Sequence, residues 1–156
     1  MGDAMSLLQN PDFESGDSDH PWAPWKPRNA GDQVNPEVVY APHGPHKART
    51  GSHYLKFTTG QAHGSMAQRI NVTMPSVTAL AYVRAESGEV SGSLTIWDLD
   101  ANPDNKISCD FTVGETWTQV IAVLGMKTTG ANRPVLVEFY LTNIDAYLHI
   151  DSVTAF

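Results

Sequence analysis

Apolar and polar side chains alternate along Val135-Leu136-Val137-Glu138-Phe139-Tyr140-Leu141-Thr142. Successive side chains of a strand point to opposite faces of a sheet, so this period of two separates a purely apolar face from a mixed one. The apolar set begins at Val135, and the opposite set includes Glu138 and Tyr140. Such a stretch is typical of an antiparallel strand with one buried face and one wettable face.

The rest of the chain is divided into similar short runs. Its 12 Gly and 10 Pro residues recur every few positions and leave pieces too short for ordinary helices. A long irregular stretch at 17–32 is expected to form a loop. These runs predict an all-β fold, an antiparallel two-sheet β-sandwich of jelly-roll type. We expect its strands at 6–9, 33–41, 53–59, 65–72, 77–85, 89–98, 106–112, 116–124, 135–142 and 146–155.

Length and charge limit the classes of protein to consider. A chain of 156 residues that is 41% hydrophobic can bury one core, so we expect a single domain at 6–156, with 1–5 as a linker or artificial start. The net charge of −7, without a run of Lys and Arg, argues against nucleic acid as a partner. No apolar run approaches the roughly 20 residues that cross a bilayer, and the start lacks the features of a signal peptide, so we expect no membrane partner.

Three short motifs carry a resemblance to a known family. They are Asn10-Pro11-Asp12-Phe13-Glu14-Ser15-Gly16, Gly51-Ser52-His53-Tyr54-Leu55-Lys56-Phe57 and Tyr147-Leu148-His149-Ile150-Asp151-Ser152-Val153. Their layout resembles the jelly-roll carbohydrate-binding modules, galactose-binding-like β-sandwiches appended to bacterial xylanases and glucanases. The resemblance implies a monomeric accessory module that binds a polysaccharide or oligosaccharide. It also implies that the module is secreted or extracellular as part of a larger multidomain protein.

The resemblance further implies a structural calcium ion. At the corresponding positions this chain has Glu14 and Asp151, and backbone carbonyls of the turn at 47–51 would complete the set of ligands. Calcium prefers six to eight oxygen ligands, so two carboxylates with carbonyls are chemically suitable. By residue type alone, two solvated acidic side chains at strand ends are an equally good interpretation.

A second acidic run, Asp98-Leu99-Asp100-Ala101-Asn102-Pro103-Asp104, favours a turn over a metal site. An EF-hand loop needs Gly at its sixth position and Glu at its twelfth, where this chain has Pro103 and Cys109. Asp, Asn and Pro in succession are typical of a polar hairpin turn.

A saccharide-binding face should combine exposed aromatic planes with planar hydrogen-bonding groups, because a sugar ring has an apolar C–H face and a rim of hydroxyls. Alternation along 89–98 sets Trp97 apart from Leu94 and Ile96. In the loop, Trp22 lies near two prolines that restrict the chain, so it is either a ligand platform or a packed ring. The predicted ligand-binding residues are Trp97, Tyr82, Arg84, Glu138, Tyr140, Trp22 and Gln68. The alternative is that Tyr82 and Trp97 pack beneath a loop, with Arg84 and Glu138 as a surface ion pair.

Catalysis is not expected. Glycoside cleavage needs two facing carboxylates, and Glu138 has no evident partner in the sequence. No Ser lies in a nucleophile elbow of the Gly-x-Ser-x-Gly kind. A different function remains open: a structural or adhesion β-sandwich of a phage tail or cell-surface assembly, which would contact protein. An exposed hydrophobic patch without a groove would favour that function, and a groove lined by rings would favour sugar.

Overall fold

A computed structural model of the chain describes residues 6–16, 19–29 and 31–156. The predicted linker at 1–5 lies outside these residues. The part of the chain that is described contains no helix that is long and apolar enough to cross a membrane. The strands are β1 (Lys26–Pro27), β2 (Val34–Tyr40), β3 (His53–Thr59), β4 (Gly64–Val72), β5 (Ser76–Ala85), β6 (Val90–Asp98), β7 (Asn105–Val113), β8 (Thr118–Gly125), β9 (Arg133–Leu141) and β10 (Tyr147–Ala155).

The strands form two five-stranded sheets. The first sheet has the order β1-β4-β9-β6-β7, and the second has the order β2-β3-β10-β5-β8. All neighbouring strands are antiparallel. This arrangement confirms the predicted antiparallel two-sheet sandwich. The acidic run after Asp98 is the turn of the β6–β7 hairpin, as its composition predicts.

The core lies between the two sheets and follows the predicted alternation. On β9 the apolar set from Val135 to Leu141 is fully buried, and on β3 of the opposite sheet Leu55 and Phe57 are equally buried. Trp25 closes one side of this core, with its ring centroid 5.9 Å from that of Phe139. Burial of such side chains contributes about 1.5–3 kcal/mol each, so the loop before β1 is anchored to the sandwich by Trp25.

Two local predictions are wrong. Residues 6–9 do not form a strand, because Pro11 follows and Asn10 adopts a φ of 47°, which together end any extended path. Conversely, the expected loop at 17–32 contains the two-residue strand β1, which is too short for an alternating pattern to reveal it. The N-terminal segment still runs beside β10, with 2.8 Å from Leu7 N to Ala155 O and 2.9 Å from Val153 N to Pro11 O.

Candidate functional site

The candidate site is the outer face of the first sheet, the side turned away from the second sheet. Directly opposite residues of neighbouring strands share a face, so the strand register defines which side chains meet there. Across β4, β9, β6 and β7 it places three rows: Ser65, Tyr140, Ser93 and Asp110; Ala67, Glu138, Thr95 and Ser108; and Arg69, Leu136, Trp97 and Lys106. Lys26 of β1 lies opposite Ala67 and extends the middle row, and Arg28 follows it.

Glu138 is the centre of the polar contacts on this face. It has no exposed surface, and its Oε1 accepts hydrogen bonds from Trp97 Nε1 at 2.9 Å and Arg28 Nη1 at 3.2 Å. Its Oε2 accepts a bond of 2.6 Å from Ser65 Oγ. A buried carboxylate is tolerated only where donors and a countercharge compensate for lost water, and these three side chains supply both. Glu138 therefore holds its neighbours in place from below the surface.

Trp97 projects outward and keeps part of its ring exposed. The guanidinium carbon of Arg28 lies 4.5 Å from the ring centroid, and Nζ of Lys106 lies 4.4 Å from it. Both distances are within the range of cation–π contacts. Arg28 also donates to the hydroxyl of Tyr140 at 3.2 Å. Partial burial is the main cause that raises the pKa of the Tyr140 hydroxyl above its usual range, and the neighbouring Glu138 adds to this shift.

Beyond Trp97, Glu138 and Tyr140 the outer face continues as a hollow lined by small polar groups. The hollow has a volume of about 420 Å³, and Ser91, Ser93, Asp110, Thr112 and Thr142 are among its lining residues. Gly92 belongs to the same wall, where a Cβ would lie only 2.2 Å from the carbonyl oxygen of Tyr140. Any larger residue at this position would have to displace the backbone of β9. Hydroxyls and a carboxylate thus follow the aromatic end of the face.

Two predicted ligand residues, Tyr82 and Arg84, are not on this face. Both belong to β5, which lies in the second sheet, so the expectation that they share a face with Trp97 is wrong. Arg84 is 2% exposed and donates to His149 Nδ1 at 2.9 Å and to His46 O at 2.8 Å. Alternation shows which side of its own sheet a residue takes, but not to which sheet its strand belongs.

Gln68 and Trp22 both make contacts within the protein. Gln68 is 3% exposed and points between the sheets, where its amide accepts from Gln9 N at 2.7 Å and donates to Gln9 O at 2.9 Å. It thereby fastens the N-terminal segment, which corrects its predicted role in binding. Trp22 is partly buried against the core, and its ring meets that of His20 edge-on at 5.7 Å.

The sequence analysis missed the cations of the outer face. Lys106 follows the β6–β7 turn and pairs with Trp97 across the hairpin, so the hairpin prediction itself was a usable signal. Arg69 is the outward neighbour of Gln68 on β4, and alternation alone would have placed it outside. Arg28 had no such signal, because it lies in a proline-rich stretch without a period.

Glu14 and Asp151 meet at one turn on a different part of the molecule. Asp151 Oδ2 accepts from the backbone N of Arg49 at 2.8 Å and of Thr50 at 3.0 Å, and Glu14 Oε2 accepts from His53 N at 2.6 Å. Burial raises the pKa of Asp151 to about 7; backbone donors oppose this shift, and the charge of Glu14 adds to it. A Cβ on Gly51 would lie 2.8 Å from the carboxyl carbon of Glu14.

The two carboxylates have oxygen atoms of the kind that calcium prefers, and in the structure these oxygens accept hydrogen bonds from backbone N–H groups of the turn. A buried carboxylate beside a second carboxylate is an arrangement that a cation stabilises, and both groups offer the oxygen ligands that calcium prefers. Among the described residues no group of three or more His, Cys, Asp or Glu side chains is placed to hold a metal. Backbone oxygens would therefore have to supply the remaining ligands, as the resemblance to the modules implies.

No protein-family model matches this sequence, and no curated protein does either. Solved structures do match. TmCBM61 in complex with β-1,4-galactotriose has a TM-score of 0.67 at 18% identity, with 97% of each chain covered. The fold is that of the jelly-roll carbohydrate-binding modules. The CBM22-1 xylan-binding domain of Xyn10C from Paenibacillus barcinonensis has a TM-score of 0.65 at 16% identity, covering 92% of this chain and 89% of its own.

The same fold also occurs inside a larger phage protein. Tailspike protein 4 of bacteriophage CBA120, in its enzymatically active domain, matches with a TM-score of 0.68 at 13% identity. The match covers 97% of this chain but only 21% of the tailspike chain. Fold alone therefore does not decide between a sugar-binding module and a part of a phage structure.

Proposed function

We propose that this chain is a non-catalytic carbohydrate-binding module that binds a polysaccharide or oligosaccharide on the outer face of the first sheet. The observation that carries the proposal is the partly exposed Trp97, held from below by the buried Glu138 and continued by a hollow of hydroxyl side chains. The modules with a matching fold support it, since their names record binding of galactotriose and of xylan.

In this proposal Trp97 supplies the apolar plane and its neighbours supply the polar contacts. The C–H face of a sugar ring would lie on the indole, while Arg28, Tyr140 and Asp110 would bond to hydroxyls. Arg28 and Lys106 both lie over the Trp97 ring, so one of them has to move before a sugar can stack on the indole. Arg28 is held by Glu138 and Tyr140, whereas the exposed Lys106 has no bond that fixes it among the described residues. We therefore expect Lys106 to move.

The absence of catalysis is part of the proposal. Both oxygens of Glu138 already accept hydrogen bonds from three side chains, so this carboxylate is poorly placed to act as a general acid or base. Asp110 is the other carboxylate in the three rows of the outer face. Glycoside hydrolysis usually needs two available carboxylates, and one does not suffice.

The binding proposal is tested by affinity gel electrophoresis against neutral polymers (galactan, xylan, glucomannan and mixed-linkage glucan) and charged ones (polygalacturonate and sulfated galactan). We expect retardation by at least one polymer, and loss of that retardation in Trp97→Ala but not in Tyr82→Ala. Tyr82 is a suitable control because its ring lies on the second sheet beneath the guanidinium of Arg49, at 3.8 Å. Equal retardation of both variants, or none by any saccharide including charged ones, would refute the proposal.

We also propose that Glu14 and Asp151 hold a structural calcium ion together with backbone oxygens. The ion would supply positive charge to two carboxylates that come from opposite ends of the chain. It would join the segment before β1 to β10 through the turn at 49–53, and its role would be stability rather than contact with saccharide.

The rival function, contact with protein, has weaker support. Two exposed apolar side chains lie next to each other on one face of the edge strand β8: Ile121 is 49% exposed and Val123 is 55% exposed. With Leu80 opposite Ile121 they form only a small apolar area, and apolar residues at the surface are common and do not by themselves indicate a partner.

A further inference from the structure

Positive charge is concentrated at the Trp97 end of the outer face. Strand register places Lys26, Arg69 and Lys106 on this face, and the guanidinium of Arg28 lies over the Trp97 ring; together they account for four of the ten Lys and Arg residues. The chain as a whole carries a net charge of −7. A cationic cluster on an acidic protein is a local feature that the overall charge conceals, and it selects for a ligand of opposite charge.

Most of this charge is not neutralised by the protein itself. Within the ranges that the structure describes, Arg28 pairs with Glu138 at 3.2 Å, while Lys26, Arg69 and Lys106 have no carboxylate oxygen within 4.0 Å. The second sheet offers a contrast. There Lys56 meets Glu86 at 2.6 Å and Glu37 at 3.6 Å. Lys26, Arg69 and Lys106 are therefore available to a ligand.

The floor between the cations is uncharged at its surface. Arg69 and Lys106 end the same row, separated by Leu136 and Trp97, so their backbones lie about 14 Å apart at the usual strand spacing. The carboxylate of Glu138 lies beneath the floor, and Asp110 lies on β7 four residues along the strand from Lys106. A negative group above Leu136 or Trp97 would thus meet cations on both sides.

The geometry points to an anionic saccharide as the ligand, one that carries a carboxylate or a sulfate ester. This inference rests on the proposed function and specifies its substrate class. Lys106 connects the charge to the stacking, because its ammonium lies 4.4 Å from the centroid of the Trp97 ring. An anionic group on the ligand would draw Lys106 away from the indole and pair with it. The same movement would open the ring to the C–H face of the sugar.

Calorimetric titration with matched oligosaccharides tests the inference. The probes are oligogalacturonates, the same oligomers with methyl-esterified carboxylates, neutral galacto-oligosaccharides and sulfated galactan oligomers. We expect at least one charged series to bind tenfold or more tightly than the neutral oligomers. If carboxylate is recognised, esterification should remove the advantage; if sulfate is recognised, only the sulfated series should show it. The advantage should shrink between 20 and 150 mM NaCl, because exposed ion pairs are screened by salt.

Variants locate the effect on the face. In the double variant Arg69→Gln/Lys106→Gln the preference for the charged series should fall to less than threefold. Lys127 is an exposed lysine outside the three rows, and in the control variant Lys127→Gln the preference for the charged series should be unchanged. Neutral oligomers that bind as tightly as every charged series would overturn the inference and leave the proposed function standing. Failure of all four probes, together with the neutral polysaccharides named above, would overturn both.

Discussion

The indole Nε1 of Trp97 donates a hydrogen bond of 2.9 Å to Oε1 of Glu138, a carboxylate with no exposed surface. Trp97 is on β6 and Glu138 on the adjacent β9, so the bond crosses two strands and sets the direction of the indole. Preorganisation of this kind lowers the entropy cost of binding, because the ring is already oriented before the ligand arrives.

Truncation of the ring should separate binding from folding. We expect Trp97→Ala to weaken saccharide binding at least about tenfold, the equivalent of 1.4 kcal/mol, because the apolar platform is lost. The melting temperature should change by only a few degrees, since the ring projects away from the core. Titration calorimetry and thermal unfolding measure the two effects, with Tyr82→Ala as the control on the second sheet. A large fall in melting temperature with unchanged affinity would mean that Trp97 is a packing residue.

Replacement of the buried acid should act on both properties. Glu138→Gln keeps the shape but removes the charge that compensates Arg28, and its amide cannot accept on both sides. We expect the free energy of unfolding to fall by about 1–3 kcal/mol, the usual range for a disrupted buried hydrogen bond. Near-ultraviolet circular dichroism should change as Trp97 loses its partner. Urea unfolding of Glu89→Gln, an exposed acid on the turn before β6, should match the wild type. Wild-type stability and dichroism in Glu138→Gln would contradict the positioning role.

Calcium should stabilise the fold through Glu14 and Asp151. A ligand present at 100 times its dissociation constant stabilises by about 2.7 kcal/mol, which for a chain of this size raises the melting temperature by roughly 5–10 °C. We expect this rise with calcium chloride, its reversal by a chelator and its loss in Asp151→Asn. Asp104→Asn, an exposed acid on the β6–β7 turn, should retain it. Identical melting curves with calcium and with chelator would exclude the site.

Strands could be predicted from the sequence where the alternation of apolar and polar side chains within one strand determines which face is buried. On β9 one face is wholly apolar, and both this face and the outward direction of Trp97 follow from a period of two. What alternation lacks is information about which strands become neighbours. β5 and β6 are consecutive in sequence but lie in different sheets, so Tyr82 could not be assigned relative to Trp97. Strand order results from pairings between residues far apart in the chain, and no short pattern reports it.

The composition of the site was less predictable for a related reason. Arg28 reaches Glu138 because Trp25 is buried in the core and brings the following residues against β4. That placement depends on tertiary packing of an irregular segment, and the segment has no period of its own. The overall charge of −7 also concealed the cluster, because charge is summed over the sequence whereas a ligand meets only one face.

Acid should destabilise the protein partly through Asp98. This residue is 2% exposed, and its carboxylate accepts from the backbone N of Lys127 at 3.0 Å, the backbone N of Thr128 at 3.1 Å and the hydroxyl of Thr128 at 2.7 Å. Burial by itself raises its pKa, but these donors, joined by Asn105, outweigh burial and hold the pKa below its usual range. The carboxylate thereby fastens the segment after β8 to the end of β6.

The direction of the pH effect follows from this depressed pKa. The unfolded chain binds a proton at Asp98 more readily than the folded chain, so the stabilisation is complete above the unfolded pKa of about 4 and is lost as the pH falls through the lower, folded pKa. We expect Asp98→Asn to lower the free energy of unfolding at pH 7 by about 1–3 kcal/mol and to reduce its decline between about pH 5 and pH 2. Urea unfolding across this range measures both, with the exposed Asp100→Asn as control. An Asp98→Asn curve parallel to that of the wild type would show that this carboxylate does not contribute to acid sensitivity.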